Sequence, residues 1–152
     1  MIIIIIFILL QVSFTLHIYN LVIYVLKKND RNLKWFINTA ISNILIAVSL
    51  TALAIMKPEM VRGVDFGFLI WIMTGLIMVA MLGIKINIAK NIYQRSRDPD
   101  NYHFNYFGKK VLHSSVVRYE EILIFMFTMP FFLFAGAYFV ACLVNLLMYN
   151  HL

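Results

Sequence analysis

Four long apolar stretches dominate this chain, and each is long enough to cross a lipid bilayer. They run over residues 2–26, 35–56, 66–84 and 122–148. At 1.5 Å per helical residue, about 20 residues span the hydrocarbon. With no water to pair backbone amides and carbonyls, a segment in lipid must satisfy them internally, so helices are expected. Strands of a membrane barrel would show about ten residues of alternating polarity, a pattern these stretches lack. The chain as a whole agrees: 62% of its 152 residues are hydrophobic and 13% are charged. Soluble domains hold roughly 45–50% and about 25%. A soluble fold of this size would leave much of that surface exposed and adhesive. The predicted class is an all-α integral membrane bundle of four transmembrane helices in one domain.

The first stretch reads as a retained membrane helix and not as a cleaved leader. It lacks a charged n-region, exceeds a typical h-region and shows no A-x-A-like site. Its positive charges come after it.

Those charges orient the bundle. The connector after the first stretch carries Lys27, Lys28, Arg31 and Lys34, and the second carries only Lys57 and Arg62. The third holds Lys85, Lys90, Arg95, Arg97, Lys109, Lys110 and Arg118. Basic residues remain on the cytoplasmic side. The expectation is an inner, cytoplasmic-type membrane, multi-pass, with both termini periplasmic. The net charge of +6 then reflects orientation and headgroup attraction, and no nucleic acid is expected as a partner.

Residues 85–121 read as a cytoplasmic cap. Ile84, Ile88 and Ile92 recur four apart among Lys85, Asn87, Lys90 and Asn91, so the third helix should continue past the membrane. Asp98-Pro99 should stop it. Tyr102, His103, Phe104, Tyr106, Phe107, Lys109 and Lys110 mix aromatic and basic groups, a composition suited to headgroups or to a partner surface. Gly108 is expected as a hinge, and helix is expected from Lys110 through Glu121. Lys85 is expected to pair with Glu120 or Glu121, and Arg118 with Glu121.

Within the spans, Ser13, His17, Asn20 and Tyr24 form a polar stripe on the first helix. Ser13, His17 and Asn20 of that stripe, with Asn43, Thr74 and Thr128, are expected to meet as an intramembrane polar pocket, as interhelical glue or as a water-lined site. No Asp, Glu, Lys or Arg lies deep in a span, which argues against a carboxylate-driven antiporter. The single cysteine, Cys142, excludes an internal disulfide, a cysteine-based zinc site and a two-cysteine redox pair. No two of the four histidines share a depth in the membrane, so no cofactor is expected; a haem b shared with another subunit through His17 is the exception kept open. The nine methionines read as packing.

Function is expected to be non-catalytic: an integral subunit of a multi-protein inner-membrane complex, with lipid and other integral membrane proteins as partners. Two alternatives are a homo-oligomeric channel or carrier lined by the stripe of the first helix, and a cytochrome b-type or quinone-site subunit using His17.

Overall fold

The computed structural model describes residues 2–149; His151, expected at the outer tail, lies outside the described residues. Helix α1 (Ile2–Lys27) is followed by α2 (Asp30–Met56), a short α3 (Pro58–Arg62) and α4 (Phe66–Arg97). A two-stranded hairpin, β1 (Tyr102–Phe104) and β2 (Lys110–Leu112), then leads to α5 (Tyr119–Tyr149). The helices α1, α2, α4 and α5 contain the four expected spans, and each is long and apolar enough to cross a membrane. This is a multi-pass, all-α bundle.

Local chemistry sets the helix ends. Asn29 caps α2 by accepting the Arg31 amide at 2.9 Å, and Asp65 caps α4 by accepting the Phe68 amide at 3.1 Å. Lys28 turns α1 into α2 at φ 49°, a left-handed conformation that disfavours side chains. Asp98 ends α4 ahead of Pro99, as expected.

The bundle is open. Helix α1 packs between α2 and α4, and α4 packs between α1 and α5, giving the neighbour order α2–α1–α4–α5. Most of its buried apolar residues fall in two clusters at opposite ends. Ile23, Leu26, Ile84 and Ile88 form one, at the hairpin end. Ile3, Val64 and Leu69 form the other, beside α3. The predicted Ile84/Ile88 face is therefore core, and Ile84 is fully buried. Between the clusters, glycines admit large rings. Gly75 lies under Phe139, whose ring also stacks on Trp71 at 5.4 Å, and Gly83 lies under Tyr19.

The cap differs from expectation in its second half. Residues 110–112 are strand, and the helix begins only at Tyr119. Tyr102 pairs with Leu112, His103 with Val111 and Phe104 with Lys110. Gly108 is not a hinge into α5. It closes the five-residue hairpin loop 105–109 at φ 69°, donating its amide to the Asn105 carbonyl at 2.9 Å. The Asn105 side chain accepts the amides of Phe107 and Lys109, fixing the turn.

Candidate functional site

The polar groups of the bundle gather in three places: a histidine node between α1 and α2, a groove between α1 and α4, and an ion pair at the base of the hairpin.

At the first, His17 stacks on Phe36 with ring centres 4.2 Å apart. Its Nδ1 lies 3.1 Å from the Phe36 carbonyl and 3.1 Å from Thr39 Oγ1. A carbonyl only accepts, so Nδ1 carries the proton. Thr39 is buried, and its one hydroxyl hydrogen is shared between the carbonyls of Trp35 and Phe36, both at 2.9 Å. His17 therefore joins α1 to α2 through a shared proton. The imidazole that sequence singled out is held by a neighbouring helix, with Nε2 as its remaining ring nitrogen.

Among the described residues, no hydrogen bond joins any two of the six residues expected to form one polar pocket. Thr74 donates to the Trp71 carbonyl at 2.8 Å and Thr128 to the Phe125 carbonyl at 3.1 Å, each within its own helix. Asn43 lies one turn beyond Thr39 on α2, and its Oδ1 is buried with no hydrogen-bond partner. Ser13 is half-buried on α1. Asn20 alone of the six lines a described cavity. The reason is packing order: α1 and α4 lie between α2 and α5, so polar groups at similar depth on the outer helices are kept apart.

The second place was not foreseen. A cavity of about 540 Å³ opens between α1, α2 and α4 near the α1–α2 turn, and Lys27, Arg31, Asn20 and Asn87 line it. Lys27 Nζ donates to Asn87 Oδ1 at 3.1 Å, and Asn87 Nδ2 donates to the Tyr19 hydroxyl oxygen at 3.0 Å. Sequence offered a partial signal here, since Asn20 and Lys27 stand seven apart on one face of α1. It did not show that α4 would bring Asn87 to that face.

At the third, Arg95 on α4 is ion-paired with Glu121 on α5, the one pair among the described residues. The expected partner of Glu121, Lys85, is elsewhere. Its ammonium sits 4.6 Å from the centre of the Phe125 ring and 5.2 Å from that of Phe132, and it reaches the Met129 sulfur. The two helices are antiparallel, and α4 continues ten residues from Lys85 to Arg95, about 15 Å. Lys85 thus faces α5 well below Glu121. Arg118 meets Glu121 through its backbone amide, 3.2 Å from Oε2, and not through its side chain. That is the back-reaching half of a capping box, which secures the first turn of α5.

The hairpin divides the expected interface in two. Tyr102 and Lys110 turn onto the bundle, with Lys110 Nζ 3.8 Å from the Tyr102 ring centre and 2.6 Å from the Ser96 carbonyl. That places a cation on the C-terminal end of α4, where the helix dipole favours it. His103, Phe104, Tyr106, Phe107 and Lys109 are exposed. The His103 and His113 rings lie 5.1 Å apart, and no cluster of three or more His, Cys, Asp or Glu suited to a metal occurs among the described residues.

Comparison with known proteins gives no matching family model, no matching curated protein and no matching solved structure. Fold and side-chain chemistry define the class as a multi-pass helical membrane protein.

Proposed function

We propose that this chain is a non-catalytic integral subunit of a multi-protein inner-membrane complex, with the hairpin in the cytoplasm and both termini periplasmic. One observation carries this reading. Helix α1 ends at Lys27, which bonds to Asn87, yet α4 runs on to Arg97 beside the first turns of α5. From Asn87 to the Arg95–Glu121 pair is eight residues, about 12 Å. Over that length the end of α1 flanks one side, with Leu26 and Lys27 bordering the cavity at Arg95 and Glu121, while the other face of α4 and α5 is strongly apolar and uncovered. Leu123, Met126 and Phe127 are exposed there, Phe127 at 70%. Beside them lies an apolar groove of about 300 Å³, lined by Ile88, Ile92, Val117, Ile122 and Phe125.

This face begins the fourth span, at the edge of the hydrocarbon, where it needs an apolar cover. The apolar helix of another integral membrane protein supplies one, packing as helices do in groove-type recognition. The hairpin tip adds two exposed aromatic side chains, Tyr106 and Phe107. The intramembrane hydroxyls of Thr74 and Thr128, bonded to their own helices, fit a structural use.

The test is purification in mild detergent followed by native electrophoresis and mass identification. The expected result is a stoichiometric second integral membrane protein. Phe127→Asp combined with Met126→Asp should release it without unfolding the chain. A homo-oligomer alone in the wild type would defeat the reading.

A further inference from the structure

The groove on α1 and α4 has a second compartment. Continuous with the polar cavity through the shared residues Leu16 and Tyr19 is an apolar one of about 300 Å³, lined by Val12, Leu76, Val79, Ala80 and Gly83. The two lie in line. Positions 12, 16, 19, 23 and 27 of α1 share one face at helical spacing, and so do 76, 80, 83 and 87 of α4. From Val12 to Lys27 the groove extends about 22 Å. One leaflet of hydrocarbon is about 15 Å deep, so the groove covers that depth and the headgroup layer beyond it.

Its chemistry changes along that length in one direction. The deep part presents aliphatic side chains. The end near the α1–α2 turn presents Lys27 and Arg31 with Asn20, Asn29, Asn32 and Asn87, and neither compartment is lined by Asp or Glu. The Arg31 guanidinium has no hydrogen-bond or ion-pair partner among the described residues. Lys27 uses one ammonium hydrogen on Asn87, and two remain. Two cations and several amides above an aliphatic trough fit an anion attached to a hydrocarbon chain. Gly83 maintains the trough, because a Cβ there would lie 3.3 Å from the Tyr19 ring.

We propose that this groove binds an anionic phospholipid, its phosphate on Lys27 and Arg31 and one acyl chain along Leu16, Leu76, Val79 and Ala80. Lys27 and Arg31 supply charge-assisted hydrogen bonds, the guanidinium in a fork suited to phosphate oxygens. Asn87 fixes the Lys27 ammonium over the groove and couples it to Tyr19, which stands where the polar and apolar compartments join.

The experiment is native mass spectrometry of the full chain, delipidated in dodecyl maltoside. Phosphatidylglycerol is added, and in parallel phosphatidylcholine with the same chains. Wild type should retain one phosphatidylglycerol per chain under activation that strips phosphatidylcholine. Lys27→Gln with Arg31→Gln should lower retention at least tenfold. Val79→Phe, which fills the groove from its exposed rim, should do the same with all charges intact. Lys109→Gln with Lys110→Gln, an equal charge loss at the hairpin, should leave retention unchanged. Circular dichroism and monodispersity establish that each variant is folded. Equal retention of the two lipids, or equal loss in the hairpin variant, would overturn the assignment. So would displacement of the lipid by millimolar inorganic phosphate, which would reduce the groove to a simple anion site. Wild-type retention in Val79→Phe would remove the acyl chain from it.

Discussion

The Glu121 carboxylate on α5 is held from two sides, by the Arg95 guanidinium on α4 and by the Arg118 amide at the start of its own helix. Glu121 is 3% exposed, so this one group joins the end of α4 to the first turn of α5 and sets where the hairpin sits. Breaking a buried pair from one side leaves an uncompensated charge, at a cost of about 3–5 kcal/mol. Arg95→Met alone should therefore lower thermal stability in detergent markedly. Arg95→Met with Glu121→Leu should recover most of it.

The same geometry separates two pairings. Arg95→Glu combined with Glu121→Arg should restore stability lost by either single reversal. Lys85→Glu combined with Glu121→Lys should give no rescue, because Lys85 sits among Phe125, Phe132 and Met129. Melting curves of the four single reversals and two swaps decide the point.

In the α1–α2 node, Thr39→Val removes the hydroxyl that His17 shares. Interhelical hydrogen bonds in membranes contribute about 0.6 kcal/mol on average, and a loss of that order is expected. Asn43→Leu should move stability the other way, by about 1 kcal/mol, since it removes a buried oxygen without a partner. Denaturation in mixed micelles reads both signs.

Close packing predicts an order among glycines. A Cβ at Gly75 would come within 2.7 Å of the Phe139 ring, whereas one at Gly136 would meet the Met78 sulfur at 3.5 Å. Gly75→Ala should cost about 1–3 kcal/mol by overpacking. Gly136→Ala should be close to neutral. The difference in melting temperature between the two variants is the readout.

Two residues with left-handed backbone make opposite predictions. Lys28, at φ 49°, should become more stable as Gly by about 1 kcal/mol. Gly108, at φ 69° in the hairpin loop, should become less stable as Ala by a similar amount. Hydrogen exchange at the hairpin amides reports the second locally.

The spans were legible in sequence because lipid imposes a simple requirement: length and apolarity nearly suffice. The Ile84/Ile88/Ile92 spacing and the Asp98-Pro99 stop were likewise local signals, and α4 follows them. Partner choice across helices was not local. Lys85 and Glu121 both mark ends of apolar runs, yet α4 extends past its run, and the offset puts Arg95 opposite Glu121. The hairpin departs from the expected helix because Lys110-Val111-Leu112 is too short for a period to show. Its actual signals were the alternating Tyr102, Phe104 and Tyr106 and the turn pair Asn105 and Gly108. The α1–α4 groove depends on Asn87 and Leu76 facing α1, which only the packing order reveals.

The proposed topology has four bilayer crossings, with the hairpin on the cytoplasmic side. Single cysteines in place of Tyr106 at the hairpin tip and Glu59 in α3, in a Cys142→Ser background, test it directly with a membrane-impermeant maleimide on intact cells. Glu59→Cys should be labelled at once and Tyr106→Cys only after the membrane is opened. Labelling of Tyr106→Cys in sealed cells, with Glu59→Cys protected, would contradict it.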